Sequence, residues 1–302
     1  SDSTGDSHIF TVDVEEYFHV HAFDGVVKRS DWDELPSRVD RTVRSLLDML
    51  DAADARATFF VLGWVADRKP GLVRAFARCG LEGASHGWSH LRVDELGPES
   101  FRHEARRSKE LLEEITGRPV VGFRSPSFSV VPGTEWALRV LAEEGYRYDS
   151  SMYPIRRPGY GYPGGGTRPH LVSTGSGSML ELPVATLDVA GLTLPAGGGA
   201  YFRYFPYALF RRAFGEMGRA GTAGIFYIHS WEIDPGQPRL PVSWLTRLRH
   251  YRNLDETAEK LERLTSDFTF TSVRDRFGLD PSGDAAGDLS NSALVNGAPR
   301  SY

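Results

Sequence analysis

"HIFTVDV", His8 to Val14, followed at once by Glu15 and Glu16, is the stretch on which the fold turns. Its short length and its β-branched and aromatic content read as a buried strand. Asp13 and Glu15 alternate with Val12 and Val14, so two carboxylates point to one side of the strand end. Downstream, Val43, Leu46, Leu47 and Leu50 follow an i, i+3, i+4, i+7 spacing that predicts an amphipathic helix over 39–53. "ATFFVL" (57–62) predicts a second strand, Leu72, Val73 and Phe76 a helix ended by Gly80, and "LEGASH" (81–86) a weak third strand. Phe101, Ala105, Ser108, Leu112 and Ile115 share one face of a helix stopped by Gly117. "VVGF" (120–123), a helix over 134–144, "YRYD" (146–149) and "GIFYIH" (224–229) continue the pattern. This β–α alternation predicts an α/β fold built on a parallel sheet or barrel. Functional residues of such folds gather at the C-terminal ends of the strands. Asp13, Glu15, His86, Arg124, Asp149 and His229 all fall at those ends.

The chain has 302 residues, 40% hydrophobic and 25% charged, which predicts a globular protein with a sizeable core. Its 35 basic and 40 acidic residues give a net charge of -5, and no basic footprint for nucleic acid is present. No apolar run is long enough to span a bilayer. Ser1–Ser7 is polar and acidic rather than a signal peptide, and a bacterial cytoplasmic or membrane-peripheral location is expected. The single cysteine, Cys79, excludes an internal disulfide and a cysteine-rich metal site. Its place in a helical stretch predicts a buried small hydrophobe. Residues 154–205 are rich in Gly, Pro and Tyr and read as long loops and an antiparallel insertion over the site. Residues 280–302 are small and polar and read as a disordered tail.

The chemistry concentrates in a few stretches. In "GASHGWSH" (83–90), His86 and His90 are four residues apart and, on a helix or helical turn, face the same way and can share a metal. Such a pair alone is a weak signal. Asp13 and Glu15 supply anionic candidates, one to bind the metal and the other to take a proton from water. The bland reading of these acids is a helix-capping or salt-bridging acidic turn. His19 and His21 read as loop or cleft residues rather than ligands. His229, at the end of an apolar strand and before Trp231 and Glu232, reads alone as a satisfied core histidine, and with a metal–water nucleophile across the cleft as the natural general acid. Arg124 would keep Asp13 ionised, and Asp149 would hold His229 in one tautomer. Either is alternatively a structural ion pair.

Taken together, "TVDVEE", "SHGWSH", "RSPSF", "YDSSMY" and "FYIHSWE" resemble, in order, the motifs of the polysaccharide deacetylases, carbohydrate esterase family 4 with its NodB-homology domain. The resemblance covers roughly 8–275 and frames 8–279 as the catalytic domain. "DVEEYFH", "GGGAYFR" and "HSWEIDPGQPRLP" look more like the exosortase-associated branch found beside exopolysaccharide genes. The resemblance implies a distorted (β/α) barrel and a hydrolase that removes N-acetyl groups from N-acetylhexosamines, such as N-acetylglucosamine, in a glycan. It also implies a divalent metal, zinc first, with cobalt, nickel or manganese as alternatives. Asp13 would be the base, His86 and His90 ligands, His229 the acid, and Arg124 and Asp149 their partners. One departure stands out: the family's Thr-Phe-Asp-Asp-Gly motif places a metal-binding Asp where this chain has Val14. Glu15, one residue on, is the expected replacement, with Asp13 as ligand and Glu15 or Glu16 as base the alternative.

On this reading a backbone N–H near Phe128 joins the metal in stabilising the oxyanion. Trp88, Tyr201, Phe202 and Trp231 are candidates to stack on sugar faces. Arg203 is a candidate to bind a negative substituent. Rival readings are a metal-dependent amidase acting on a small cyclic amide and a non-catalytic carbohydrate-binding protein on the same fold. Oligomeric state is not specified by the sequence.

Overall fold

The computed structural model describes residues 7–157 and 159–279. The expected tail, 280–302, lies outside the described residues. In chain order the elements are β1 (His8–Val14), α1 (Val39–Ala52), β2 (Thr58–Val61), α2 (Gly63–Arg68), α3 (Pro70–Arg78), β3 (Glu82–Ser85), α4 (Val93–Thr116), β4 (Gly122–Phe123), α5 (Trp136–Glu143) and β5 (Tyr148–Asp149). The second part adds β6 (His170–Ser173), β7 (Ser178–Glu181), β8 (Thr186–Val189), β9 (Leu192–Pro195), α6 (Gly199–Tyr204) and α7 (Tyr207–Arg219). It closes with β10 (Ile225–His229), α8 (Trp244–Tyr251), α9 (Thr257–Asp267), β11 (Phe270–Thr271) and α10 (Val273–Phe277).

The main sheet runs β10-β1-β2-β3-β4-β5-β7-β6, with β11 also beside β1. Its pairings are parallel except β6 with β7. This curled parallel sheet wrapped by helices is the parallel α/β architecture that the alternation predicts and the distorted barrel that the resemblance implies. Among the described residues no strand ladder joins β7 to β10. The chain between them bridges that side instead: the Ala185 amide donates to Ile225 O (3.0 Å) and the Tyr227 amide to Gly197 O (2.7 Å). Gly198 sits here at φ +133°, and a Cβ on it would lie 1.8 Å from Tyr227 O, so only glycine lets the backbones approach this closely.

β1 is buried along its whole length because it lies inside the sheet. Val12 and Val14 turn into the main core, with Val43, Leu46, Phe59 and Phe76 among its members. Asp13 lies opposite His229 on β10 and Phe60 on β2, which fixes three strand ends in one register. The insertion holds two antiparallel hairpins, one of which (β6–β7) extends the main sheet while β8–β9 stands apart. α4 begins earlier than its apolar spacing indicates, with a break at Gly97 (φ 70°) ahead of Pro98.

Two expectations fail here. Cys79 is exposed, because α3 ends at Arg78 and Cys79 caps it beyond the buried stripe of Leu72, Val73 and Phe76. His86 and His90 are not on a helical turn. They flank an irregular loop after β3, with Gly87 at φ 74° and His90 itself at φ 56°.

Candidate metal and acid–base site

The loop carrying the two histidines is held from both sides. Gly87 O and Trp88 O accept the N-terminal amides of α2 at Gly63 (2.8 Å) and Trp64 (3.1 Å). The Glu104 carboxylate of α4 takes the amides of Trp88 and Ser89 and the Ser89 hydroxyl. So anchored, the loop brings Nε2 of His90 to 2.7 Å and Nε2 of His86 to 3.9 Å from Oε2 of Glu15. One ligand atom from each of Glu15, His86 and His90 falls within 4.8 Å of the others, and all three residues are buried.

The donor set fits a divalent cation. His86 Nδ1 lies 2.9 Å from Arg124 O, a carbonyl that can only accept, so Nδ1 carries the proton and Nε2 keeps its lone pair toward Glu15. Glu15 Oε1 accepts the Trp231 indole N–H (3.0 Å), whereas buried Oε2 receives no hydrogen bond of ordinary geometry. A buried carboxylate oxygen facing two imidazoles matches the His₂–carboxylate set of hydrolytic metal sites. Burial would raise the Glu15 pKa, but His90, His229 and His86 outweigh it and hold the carboxyl well below its usual range. Burial draws His86 down to about 4, against the opposing pull of Asp13 and Glu15. A neutral imidazole beside an ionised carboxylate is the protonation pattern that a metal requires. Val14 is fully buried in the main core, away from the cluster that Glu15 joins.

Asp13 and His229 form the second half. Asp13 Oδ1 receives Arg124 (2.8 Å), whose guanidinium also binds Thr11 Oγ1, Ser150 O and Ser150 Oγ and lies over the Phe60 ring. That leaves Asp13 Oδ2 facing His229 Nε2 at 3.9 Å. His229 Nε2 is also 3.9 Å from Glu15 Oε1. His229 is 24% exposed in its side chain while Asp13 and Glu15 are 2%, so the histidine marks the open side of the site.

Asp149 does not hold His229. Its carboxylate binds the Ser151 amide (3.0 Å) and hydroxyl (2.6 Å), and Ser151 Oγ accepts the Ser125 amide (2.7 Å). Asp149 therefore pins the loop that follows Arg124. It sits opposite Glu181 in the β5–β7 register, and burial together with Asp149 pushes Glu181 well above the carboxylate range. The partner of His229 is Glu232, 3.0 Å from Nδ1, itself bound by Arg203 (2.9 Å). Burial alone would lower the His229 pKa, but Glu232, then Glu15 and Asp13, raise it to about 9. Burial likewise opposes ionisation of Glu232, and His229 and Arg203 override it to bring that pKa to about 2. The signal for Glu232 was present in "HSWE": its carboxylate also takes the His229 amide (3.1 Å) in a capping-box arrangement at i, i+3.

The expected substrate residues divide. Arg203 is 1% exposed and spends its guanidinium on Glu232 and the carbonyls of Arg249, His250 and Arg252, so it cannot meet a glycan. Phe202 is fully buried against Phe210 and Phe226. Trp88 packs against Gly63 under the Arg107 guanidinium, 3.4 Å from its ring. The Phe128 amide already donates to Ser125 O (3.2 Å), and its ring packs on Tyr153 and Tyr227. Trp231 is 5% exposed and stacks between His229 and His250. Tyr201 remains partly exposed, bonded to Arg157 and Tyr160. Glu16 is a capping residue, accepting the Arg38 and Val39 amides and the Ser37 hydroxyl. His19 is buried between Trp32 and Trp64, and His21 is exposed and paired with Asp24.

The chain is similar to known proteins over parts of its length. Residues 31–148 match the family model "Polysaccharide deacetylase", and residues 150–278 match a domain of unknown function, DUF3473. The chain is 29% identical over 107 residues to the peptidoglycan deacetylase-like protein FGM2 of Gibberella zeae, covering 35% of this chain and 30% of that protein. It is 27% identical over 93 residues to a peptidoglycan-N-acetylglucosamine deacetylase of Bacillus cereus, covering 30% of this chain and 34% of that one. The chain thus spans only about a third of these curated relatives. The crystal structure of a "putative polysaccharide deacetylase" from Mycobacterium smegmatis superposes with a TM-score of 0.61 at 22% identity, over 97% of this chain and 93% of that one. That likeness establishes the fold. The family model and the curated relatives support a polysaccharide deacetylase domain of the NodB, carbohydrate esterase family 4 type.

Proposed function

We propose that this domain is a metal-dependent N-deacetylase acting on N-acetylhexosamine units of a glycan. The observation that carries the reading is the convergence of Glu15, His86 and His90 beside an Arg124-held Asp13 and a Glu232-held His229. Glu15, His86 and His90 would hold the ion, zinc being the first candidate for a site of two imidazoles and one carboxylate. When bound, the ion supplies the Lewis acid that activates water and polarises the amide carbonyl. Asp13 takes the proton of the attacking water through Oδ2, the oxygen that Arg124 leaves free. His229 gives a proton from Nε2 to the departing amine, and Glu232 keeps the imidazole protonated and turned with Nε2 toward Asp13. The products are acetate and a free amino sugar.

The reading takes 8–279 as one catalytic unit. Support comes from the main sheet, in which β2–β4 of one matched segment and β6, β7 and β10 of the other are strands of one sheet, with β1, outside both segments, between β10 and β2. "DVEEYFH", "GGGAYFR" and "HSWEIDPGQPRLP" favour an exopolysaccharide as the glycan.

The test is acetate release from N-acetylglucosamine oligomers by metal-stripped protein, before and after adding zinc, cobalt, nickel or manganese. Metal-dependent release that disappears in His86→Ala and in Asp13→Asn, with metal binding lost only in His86→Ala, is the expected result. Release from small cyclic amides but not from oligomers would replace the glycan reading with an amidase. Glycan binding without release, unchanged in Asp13→Asn, would make the protein a binder.

A further inference from the structure

Trp244 is 71% exposed, the most exposed large hydrophobic side chain among the described residues. Leu245 (47%) and Leu248 (46%) share α8 with it, and the i, i+1, i+4 spacing makes the three one contiguous outward patch. The fold does not need this patch. α8 is already anchored by its inner residues, His250 and Tyr251, which pack on Phe23, while His250 also stacks on Trp231 at 4.1 Å. An exposed Trp with two leucines on a single short helix is an apolar surface left for a partner.

The charge around it says which partner. Residues 239–254 carry Arg239, Arg247, Arg249 and Arg252, all exposed, and no Asp or Glu, within a chain whose net charge is -5. The turn after Phe23 adds Val26, 46% exposed, and Lys28, and its one acid, Asp24, is paired with His21 at 2.8 Å. A second copy of this chain would set like charge against like charge. A hydrated polysaccharide could use the arginines and the indole but gives the leucines nothing to bury against. An anionic bilayer uses all of them: the headgroup boundary accepts Trp and Leu side chains, and lipid phosphates pair with arginines. No helix among the described residues is long and apolar enough to cross a membrane, so the contact is interfacial.

We infer that α8 docks this protein on an anionic lipid surface, with Trp244, Leu245 and Leu248 inserted at the headgroup level and the arginines on lipid phosphates. The helix is one ring from the candidate site, since His250 stacks on the Trp231 that bonds Glu15. On the deacetylase reading, docking would present the site to glycan held at a membrane. The lipid contact itself does not depend on that reading.

The experiment is vesicle flotation of the full chain with phosphatidylcholine alone and with phosphatidylcholine mixed with phosphatidylglycerol, at low and high salt. The expected result is flotation with the mixed vesicles only, weakened by salt. Trp244→Ser with Leu248→Ser, and separately Arg247→Gln with Arg249→Gln, should each lower the partition by about tenfold or more while the thermal melt stays unchanged. Failure of the wild type to float with the mixed vesicles overturns the inference. So does equal flotation by the Trp244, Leu248 double variant. Retention on an anionic polysaccharide such as alginate, without flotation, would reassign the patch to glycan. None of these results depends on acetate release, so the lipid contact and the deacetylase reading stand or fall separately.

Discussion

His229 Nδ1 lies 3.0 Å from Glu232 Oε2, and the other oxygen of that carboxylate accepts from the buried guanidinium of Arg203 at 2.9 Å. The chain of contacts sets both the tautomer and the charge of the imidazole. Glu232→Gln removes the largest of the charges that lift His229 toward about 9 and leaves only the weaker pull of Glu15 and Asp13 against burial. The alkaline limb of kcat/KM should therefore move to lower pH. Activity above neutral pH should fall on the order of a hundredfold, the usual contribution of a positioned acid. A pH profile of acetate release checks this, and an unmoved limb would remove His229 from the acid role.

On the proposed function, Glu15 supplies the metal-binding carboxylate from a side chain one methylene longer than aspartate. Glu15→Asp keeps the charge and shortens the reach. It should weaken zinc binding by at least the ~10-fold that outer-shell changes cost. Titration against a chromogenic chelator reads the difference. Val14→Asp puts a carboxylate out of reach of the cluster, because Val14 is fully buried among apolar side chains on the other face of β1. That variant should lose about 3 kcal/mol or more of stability, as a buried unpaired charge does, with no gain in metal affinity. A urea midpoint that stays put would contradict the placement.

The fold was legible where periodicity is strong. β1, α1, β2 and α3 announce themselves through runs and stripes that burial then uses. The site was legible because a parallel sheet delivers its strand ends to one face, so Asp13, Glu15, His86, Arg124 and His229 could be gathered before any contact was known. Asp149 was placed on that face correctly but given the wrong partner. Its neighbour Glu181 lies 32 residues on, beyond a Gly-rich segment whose path no periodicity fixes, and only the β5–β7 pairing joins them. Arg203 and Phe202 were misread because "GGGAYFR" gives no sign that α6 turns both into the interior. Cys79 fits the helical stripe by spacing, yet the helix stops one residue before it.

Arg124 joins Thr11, Asp13 and both the carbonyl and hydroxyl of Ser150 with no exposed surface of its own. A lysine ammonium cannot span that fork. Arg124→Lys should cost about 3 kcal/mol, the scale for breaking a buried ion pair. Adding Asp13→Asn should recover part of the loss, because the stranded carboxylate is then gone. A double-mutant cycle by urea unfolding measures the coupling. Strictly additive effects would mean that the pair does not interact as its 2.8 Å contact requires.

His8 offers a pH test away from the site. Its Nδ1 accepts the Gly224 amide at 3.0 Å, and Phe214 and Phe268 meet the ring edge-on. Burial, helped by Arg276, lowers its pKa from 6.5 to about 4. The unfolded chain thus takes up this proton at higher pH than the folded one, and protons favour unfolding between those two values. The stability that His8 contributes as a neutral ring is complete above pH 6.5 and is lost as pH falls through the window toward 4. At 1.36 kcal/mol per unit the loss amounts to about 3 kcal/mol for the fully buried case. Gln in its place can accept the same amide and does not titrate. Urea midpoints for wild type and His8→Gln should therefore converge as the pH is lowered from 7 to 4.5, with the wild type falling faster. Parallel curves would show that the ring is charged in the folded protein, against its apolar surroundings.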